Sequence, residues 1–313
     1  METDKNMSIM VIGSSNFDIN LMVKDIPAVG ETILAGDMET GFGGKGANQA
    51  FTITKIGGKV DFLTCIGDDV FGKLYLEEFS KNGFNLDYIK VISNKSNGIA
   101  LINIDEEGRN TIVVFPGSSR LLTPDIIKDN LESVLSHDII MTQLEIPAET
   151  AEFIASIKTG KNIFILNPSP VDKNYDYSRI LKDVDILMPN EVELSQLANA
   201  SITSIEDIRK ACMKILLKGV KNIVVTLGKK GVFVKNADTE EYIDAPDVKV
   251  IDTSGAGDAF AGSFMFYYSK KKDIVNAAKF ANKVATISVT RQGTYKSVPT
   301  RQEIEQMAEF FKD

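Results

Sequence analysis

The stretch "DTSGAGDAF" (Asp252–Phe260) decides how this chain is read. Gly255, Ala256 and Gly257 form a short flexible run ahead of an apolar segment, the pattern of a loop entering a helix. There the N–H groups of Ala256, Gly257 and Asp258 would converge, and free donors with the helix dipole favour negative charge. An acid directly after the glycines would repel a phosphate merely held there. Asp258 is therefore either a helix-capping residue or a group that acts on something beside the anion.

Outward from this stretch the chain alternates short β-rich runs with longer helical patterns. "SIMVIG" (8–13), "VDFLTCIG" (60–67), "DIIMTQ" (138–143), "NIFILN" (162–167), "DILMP" (185–189) and "NIVVTLG" (222–228) read as strands. Most are near-continuous apolar runs, as in a parallel sheet covered on both faces. Helices are expected over 46–56, 70–82, 124–135, 148–159, 191–198, 205–218, 258–269 and 273–289. This rhythm predicts an α/β fold, a three-layer αβα arrangement around a mostly parallel sheet. Residues 98–115, "GIALINIDEEGRNTIVVF", read as a hairpin, and 19–42 lack a helical pattern. Both are expected to leave the main sheet, pair into a small separate sheet and act as a lid that excludes water. Without internal repeats or a clear linker, 313 residues read as one domain carrying this inserted lid.

Composition excludes several classes of function. A net charge of −8 with no strong basic tract argues against nucleic acid; the run Lys270–Lys272 reads as a solvated loop. Two cysteines far apart, Cys65 and Cys212, suggest neither a disulfide framework nor a zinc motif. His137 is the one histidine, expected at a helix end or in a loop, so a multi-histidine metal site is ruled out. No apolar run approaches a membrane span, and "METDKNMS" lacks a signal-peptide core, so the expected compartment is the cytoplasm.

Further motifs surround the opening one. "GFGGKGANQA" (41–50) contains G-x-G-x-x-G spacing, but it does not follow the first strand as a dinucleotide fingerprint should. It reads either as a tight loop-to-helix junction or as a glycine loop presenting Lys45 and Asn48 to polyol hydroxyls. "GSSNFD" (13–18) follows the first strand at the edge where open α/β sheets bind ligands. Asn16 and Asp18 there suit a neutral, hydroxyl-rich ligand, or an Asx turn. "PNEVEL" (189–194) puts Asn190 and Glu193 at a strand-to-helix junction, as a capping box or as oxygen ligands for hydrated magnesium. "TLGKKG" (226–231) is a turn between strands or a rest for a nucleotide phosphate or ribose at Thr226 and Gly228. A positioned carboxylate is the usual base when a hydroxyl attacks a phosphoryl group. On that chemistry the acid in the opening stretch points to a kinase.

Together "GGKGANQA" and "DTSGAGDAF" resemble the two signatures of the ribokinase family, the phosphofructokinase-B-like carbohydrate kinases, over about residues 8 to 300. The resemblance implies a three-layer αβα fold with a β lid, a homodimer formed through the lid, and ATP-dependent phosphorylation of a sugar. D-ribose at its 5-hydroxyl is the first expectation; another pentose, deoxyribose or a nucleoside in the same family is the alternative. It makes Asp258 the base and Gly255, Ala256 and Gly257 the anion hole. Asn16, Asp18, Gly44, Lys45, Asn48 and Glu145 would hold the sugar. Thr226, Gly228, Gly231 and Asn282, with Asn190, would line the nucleotide site. Asn190 and Glu193 would organise magnesium through water. Asp252, Ser254, Ser288, Arg291, Gly293 and Ser297 fall where the family binds potassium. Ser118-Ser119 stand where the family usually carries Ala-Asn, a departure in the lid contacts that tune sugar preference. A catalytically silent sugar-binding protein and a dinucleotide oxidoreductase are the rivals from other classes.

Overall fold

The computed structural model describes residues 6–311; the first five residues of the polar N-terminal stretch lie outside them. The chain begins with β1 (Ile9–Ile12), β2 (Asn16–Met22) and β3 (Asp37–Gly43), followed by α1 (Lys45–Lys55), β4 (Asp61–Gly67) and α2 (Val70–Lys81). Next come β5 (Ile89–Ile92), β6 (Gly98–Ile104), β7 (Asn110–Phe115), α3 (Pro124–Asp129) and α4 (Leu131–Ser136). The middle of the chain supplies β8 (Ile139–Gln143), α5 (Ala148–Ile157), β9 (Ile163–Asn167), α6 (Ser178–Leu181) and β10 (Ile186–Leu187). Then follow α7 (Glu191–Ala198), α8 (Ile205–Leu216), β11 (Asn222–Thr226), β12 (Val232–Lys235) and β13 (Glu240–Ile243). The chain closes with α9 (Ala256–Lys271), α10 (Ile274–Ser288), α11 (Arg301–Gln306) and α12 (Ala308–Phe311).

Among the described residues the larger sheet runs β13-β12-β11-β10-β9-β8-β1-β4-β5. From β11 to β5 its neighbours pair in parallel, and only β12 and β13 are antiparallel. The apolar runs are continuous because both faces are buried. In β1, Met10 and Ile12 join one core cluster, whereas Ile9 and Val11 join the other. The first cluster is closed by α3 to α8 and the second by α1, α2, α9 and α10, which gives the three layers. This agrees with the expected αβα architecture.

Four details differ from the sequence reading. The helix expected over 124–135 is two, α3 and α4, parted at Asn130, whose Nδ2 donates to the Ile126 carbonyl at 2.7 Å. Lys270 and Lys271 end α9 instead of forming a loop, with Lys270 Nζ 3.5 Å from the centre of the Phe266 ring. The strands β5 and β13 were not anticipated, whereas β12 is the strand implied by the turn at 226–231. Finally, Asn16 and Asp18 lie within β2 and not in the loop after β1. His137 does end a helix; it is buried, its Nε2 3.0 Å from Asp61 Oδ2.

The smaller sheet has the order β3-β2-β6-β7. β2 pairs antiparallel with β3 and parallel with β6, and β6–β7 is the hairpin expected over 98–115. It springs from the carboxyl end of β1 and returns to the main body at α1. Asn16 and Asp18, two residues apart on one strand, therefore share one face.

Candidate active site

The parallel strands β1, β8, β9, β10 and β11 end on one edge, and the loops after them carry most of the polar residues singled out above. Ligands of open α/β sheets bind at this edge. Two helix N-termini complete it. Gly44 precedes α1 with φ +83° and Gly255 precedes α9 with φ +71°, conformations that glycine adopts without steric cost. Neither residue offers a side-chain cap.

At α9 the Ala256 N–H is taken by the Thr253 carbonyl at 3.2 Å. The N–H groups of Gly257 and Asp258 have no acceptor among the described residues. The free donors of the loop are thus those two rather than the three expected. At α1 the Lys45 N–H is capped from elsewhere, by Glu145 Oε2 at 2.9 Å. The same oxygen accepts the Ser14 hydroxyl at 2.5 Å.

α1 and α9 cross closely because Gly262 has no side chain; a Cβ there would lie 2.6 Å from the Gln49 carbonyl oxygen. That approach delivers Asp258, buried in the first turn of α9, to the polar side chains of α1. Its Oδ2 accepts Asn48 Nδ2 at 3.1 Å and its Oδ1 accepts Gln49 Nε2 at 3.0 Å. Burial raises the pKa of Asp258, against the pull of the nearby Lys45 ammonium and the two amide hydrogen bonds. Lys45 is held charged: burial works to lower its pKa, but Asp258, Glu145 and Glu193 together raise it. Asp18 is pushed up to about 7 by burial, with Glu145 and Asp258 adding repulsion. Three carboxylates thus act on one ammonium, and a fourth, Asp18, is crowded by two of them.

Above this group the smaller sheet is pinned by Tyr75 of α2. Its buried hydroxyl donates to the carbonyls of Gly43 and Asn16, the latter at 3.2 Å, and these two residues face each other in the β2–β3 ladder. Asn48 Oδ1 is buried with no donor among the described residues, an acceptor suited to an incoming hydroxyl. Ser118 and Ser119 are buried too. Ser118 Oγ donates to the Cys65 carbonyl at 2.9 Å, and Ser119 Oγ lies 3.4 Å from Asn16 Oδ1.

On the other side of Asp258 opens a cavity of about 640 Å³, within the range of small-molecule sites. Lys45, Asn190, Glu193, Thr226, Gly228, Gly231, Asn282 and the loop Gly255–Asp258 all line it, as do the apolar side chains of Val248 and Val250. The turn at 228–230 does link two antiparallel strands, so the turn and the cavity wall are the same residues. Asn190 and Glu193 form a reciprocal capping box on α7. Burial raises the pKa of Glu193 although Asn190 N–H and Ser169 hydrogen-bond it.

The expected cation group gathers around Asp252. Its Oδ1 accepts the Ser254 N–H and its Oδ2 the Gly293 N–H, both at 2.8 Å. The remaining side chains face other partners. Arg291 is paired with Glu303 at 2.8 Å, Ser288 Oγ donates to Ala285 and Ser297 Oγ to Thr294. Among the described residues no three His, Cys, Asp or Glu side chains converge as a metal site.

The sequence reading missed Gln49, Gln143, Asn167, Ser14 and Ser169. The first was in plain view in "GGKGANQA", where a glutamine beside Asn48 enters a helix buried from Gly46 to Ile53. A polar residue inside an otherwise enclosed helix was the available signal.

Comparison with known proteins gives a consistent result. The family model described as pfkB family carbohydrate kinase matches residues 6–301. The chain is 37% identical to a deoxyribokinase from Salmonella typhi over 97% of its length and 98% of that protein. It is 34% identical to a ribokinase from Haemophilus influenzae over 95% and 96%. Among solved structures, a ribokinase from Thermotoga maritima superposes with a TM-score of 0.89 at 36% identity, covering 97% of this chain and 99% of that one. Arabidopsis thaliana ribokinase complexed with ribose and ATP gives 0.90 at 30% identity, covering 99% and 100%. Among the described residues no helix is long and apolar enough to cross a membrane.

Proposed function

The chain belongs to the pfkB family of carbohydrate kinases, and from that premise we propose that it transfers the γ-phosphoryl group of ATP to the 5-hydroxyl of D-ribose, giving D-ribose 5-phosphate and ADP. The observation that carries this reading is the position of Asp258. It stands between a hydroxyl-binding group (Asn16, Asp18, Lys45, Asn48) and a nucleotide-sized cavity, beside the free N–H groups of Gly257 and Asp258.

Asp258 takes the proton of the primary hydroxyl as its oxygen attacks. The loop Gly255–Asp258 and Lys45 stabilise negative charge on the transferred group. Asp18, Asn16, Asn48, Glu145 and the Gly44 backbone orient the sugar, and the smaller sheet, acting as a lid inserted at about 19–42 and 98–115 of a single domain, excludes water. Thr226, Gly228, Gly231 and Asn282 line the nucleotide's side of the site. Desolvated Glu193, with Asn190, fits a water-mediated magnesium ion, which when bound neutralises phosphate charge. The Asp252 group would hold a potassium ion through backbone carbonyl oxygens and the carboxylate's remaining lone pairs, because the Arg291 guanidinium has no lone pair to offer a cation.

A second reading, 2-deoxy-D-ribose as the preferred sugar, is favoured by the likeness to a deoxyribokinase and by Ser118-Ser119, whose hydroxyls turn to protein partners. Rates with D-ribose, 2-deoxy-D-ribose and adenosine, followed by coupled ADP detection, separate the readings. A site built to bond a hydroxyl rejects an analogue lacking it by large factors, so kcat/KM at least tenfold higher for 2-deoxy-D-ribose would overturn the first.

The lid also bears on assembly. Ile112, Val113, Val114 and Phe115 of edge strand β7 are each about half exposed or more, an apolar edge of the kind that a second subunit covers. A homodimer through this sheet is expected, and sedimentation of Val113→Glu as a monomer beside a dimeric wild type would support it. The two buried free cysteines and the use of ATP fit a cytoplasmic protein.

A further inference from the structure

Behind Asp258 lies a buried amide relay. Gln49 Nε2 forks between Asp258 Oδ1 and Asn167 Oδ1, both at 3.0 Å. Gln49 Oε1 accepts Gln143 Nε2 at 2.6 Å, and Asn167 Nδ2 donates to the Met188 carbonyl at 2.8 Å. Gln49 and Gln143 are essentially inaccessible to solvent.

The direction of this relay is fixed by its ends. A carboxylate and a backbone carbonyl can only accept. Met188 therefore forces the Asn167 oxygen toward Gln49, and Asp258 with that oxygen forces the Gln49 NH₂ group toward both. Gln49 Oε1 is then left for Gln143, which must donate. The cost of the arrangement is visible at its far end, where Gln143 Oε1 is buried with no partner among the described residues. Leaving such an atom unmet opposes folding, so the directed donor is retained against a stability penalty.

We infer that Gln49, oriented by Gln143 and Asn167, is a positioning residue that holds Asp258 Oδ1 and keeps this carboxylate ionised for proton abstraction. The inference rests on the kinase reading above. The same carboxylate is faced by Lys45 from α1, Asp18 from β2, Glu145 after β8 and Glu193 from α7. Of these only Lys45 favours its charge. A neutral donor that cannot itself titrate is what such a crowded anionic site requires. Hydrogen bonding to the charged form is one of the few remaining ways to favour it.

Gln49→Glu tests this in the full-length enzyme. The substitution keeps the shape but turns an acceptor toward Asp258 Oδ1 and Asn167 Oδ1, so the two acids share a proton. The readout is the single-turnover rate with saturating ATP and pentose across about pH 5 to about pH 9. The acid limb should move up by about one pH unit or more, with at least tenfold loss near its wild-type midpoint and recovery at alkaline pH. A folded variant whose limb stays at the wild-type position, however slow it is, overturns the inference. If Gln49→Glu does not fold, Gln143→Leu decides. That residue does not touch Asp258, yet the limb should move the same way by about half a unit, and an unmoved limb refutes the relay. Wild-type protein that phosphorylates no pentose at any pH would instead sink the kinase reading, a result distinct from both.

Discussion

Replacing Asp258 with asparagine removes the base while disturbing little else, and the structure shows why. Both carboxylate oxygens accept amide donors, Asn48 Nδ2 at 3.1 Å and Gln49 Nε2 at 3.0 Å. Gln49 is locked in direction by Asn167 and Gln143, so the introduced amide must keep its oxygen toward Gln49. Its NH₂ group then faces Asn48, whose Oδ1 has no partner among the described residues and can accept after a flip of that amide. The exchange restores both hydrogen bonds to position 258 and turns the Asn48 NH₂ to the place of its unmet oxygen, and loss of one buried charge offsets part of that cost. Asp258→Asn should therefore fold and still bind pentose. Turnover should fall by the worth of a positioned general base, about 10²- to 10⁴-fold, or about 3 to 5 kcal/mol in the barrier. The assay is coupled ADP release for kcat and titration calorimetry for pentose affinity. A variant retaining kcat within a few-fold of wild type refutes the assignment of Asp258 as the base.

Three further outcomes follow from the same geometry. Asp18 titrates near pH 7 in the free protein and accepts hydroxyl donors best when ionised. Pentose affinity should be flat above about pH 8 and weaken up to tenfold per unit as pH falls below about 7; calorimetric Kd values independent of pH would contradict this. The sign for stability is opposite, because a raised carboxylate pKa means the fold binds the proton more tightly than the unfolded chain. Between the unfolded value of 3.8 and about 7, this group makes the ligand-free protein more stable as pH falls. Gly255→Ala places a Cβ at φ +71° and 3.0 Å from Thr294 Cα, so stability should drop by about 1 to 2 kcal/mol and kcat with it, read by thermal unfolding and ADP release. Glu193→Gln keeps an oxygen for the Asn190 N–H and so the helix cap, yet loses the charge facing the cavity. The magnesium concentration for half-maximal rate should rise several-fold with Tm little changed, and an unaltered magnesium titration would remove Glu193 from that role.

Much of this architecture can be read from the residues because the physics is local. Strands buried on both faces must be apolar without interruption, so β1, β4, β8, β9 and β11 announce themselves. β13 does not: it is short, antiparallel and at the sheet's edge, and "EEYI" sets two charges ahead of two apolar residues on an exposed strand. β5 hides for the same reason in "IKVI", where Val91 is exposed. The placement of Asn16 and Asp18 in a strand was masked by turn-like "GSSN". At the site, glycine loops and the acid beside them carry their chemistry in their composition. The relay behind Asp258 does not, because Gln49 meets residues 94, 118 and 209 positions away. Only the convergence of α1, β8, β9 and α9 makes those amides a unit, and no periodicity encodes that. The pairing of Arg291 with Glu303 of α11 is invisible on the same grounds, since the two meet only through the fold.

The central claim is that this chain phosphorylates D-ribose on the 5-hydroxyl using ATP. Purified protein incubated with D-ribose, ATP, magnesium and potassium, with the product resolved by phosphorus–proton correlation NMR, tests it directly. The account predicts stoichiometric ADP and a single phosphate ester coupled to the C5 protons. No ADP above the sugar-free control, or phosphate attached at another carbon, would contradict it.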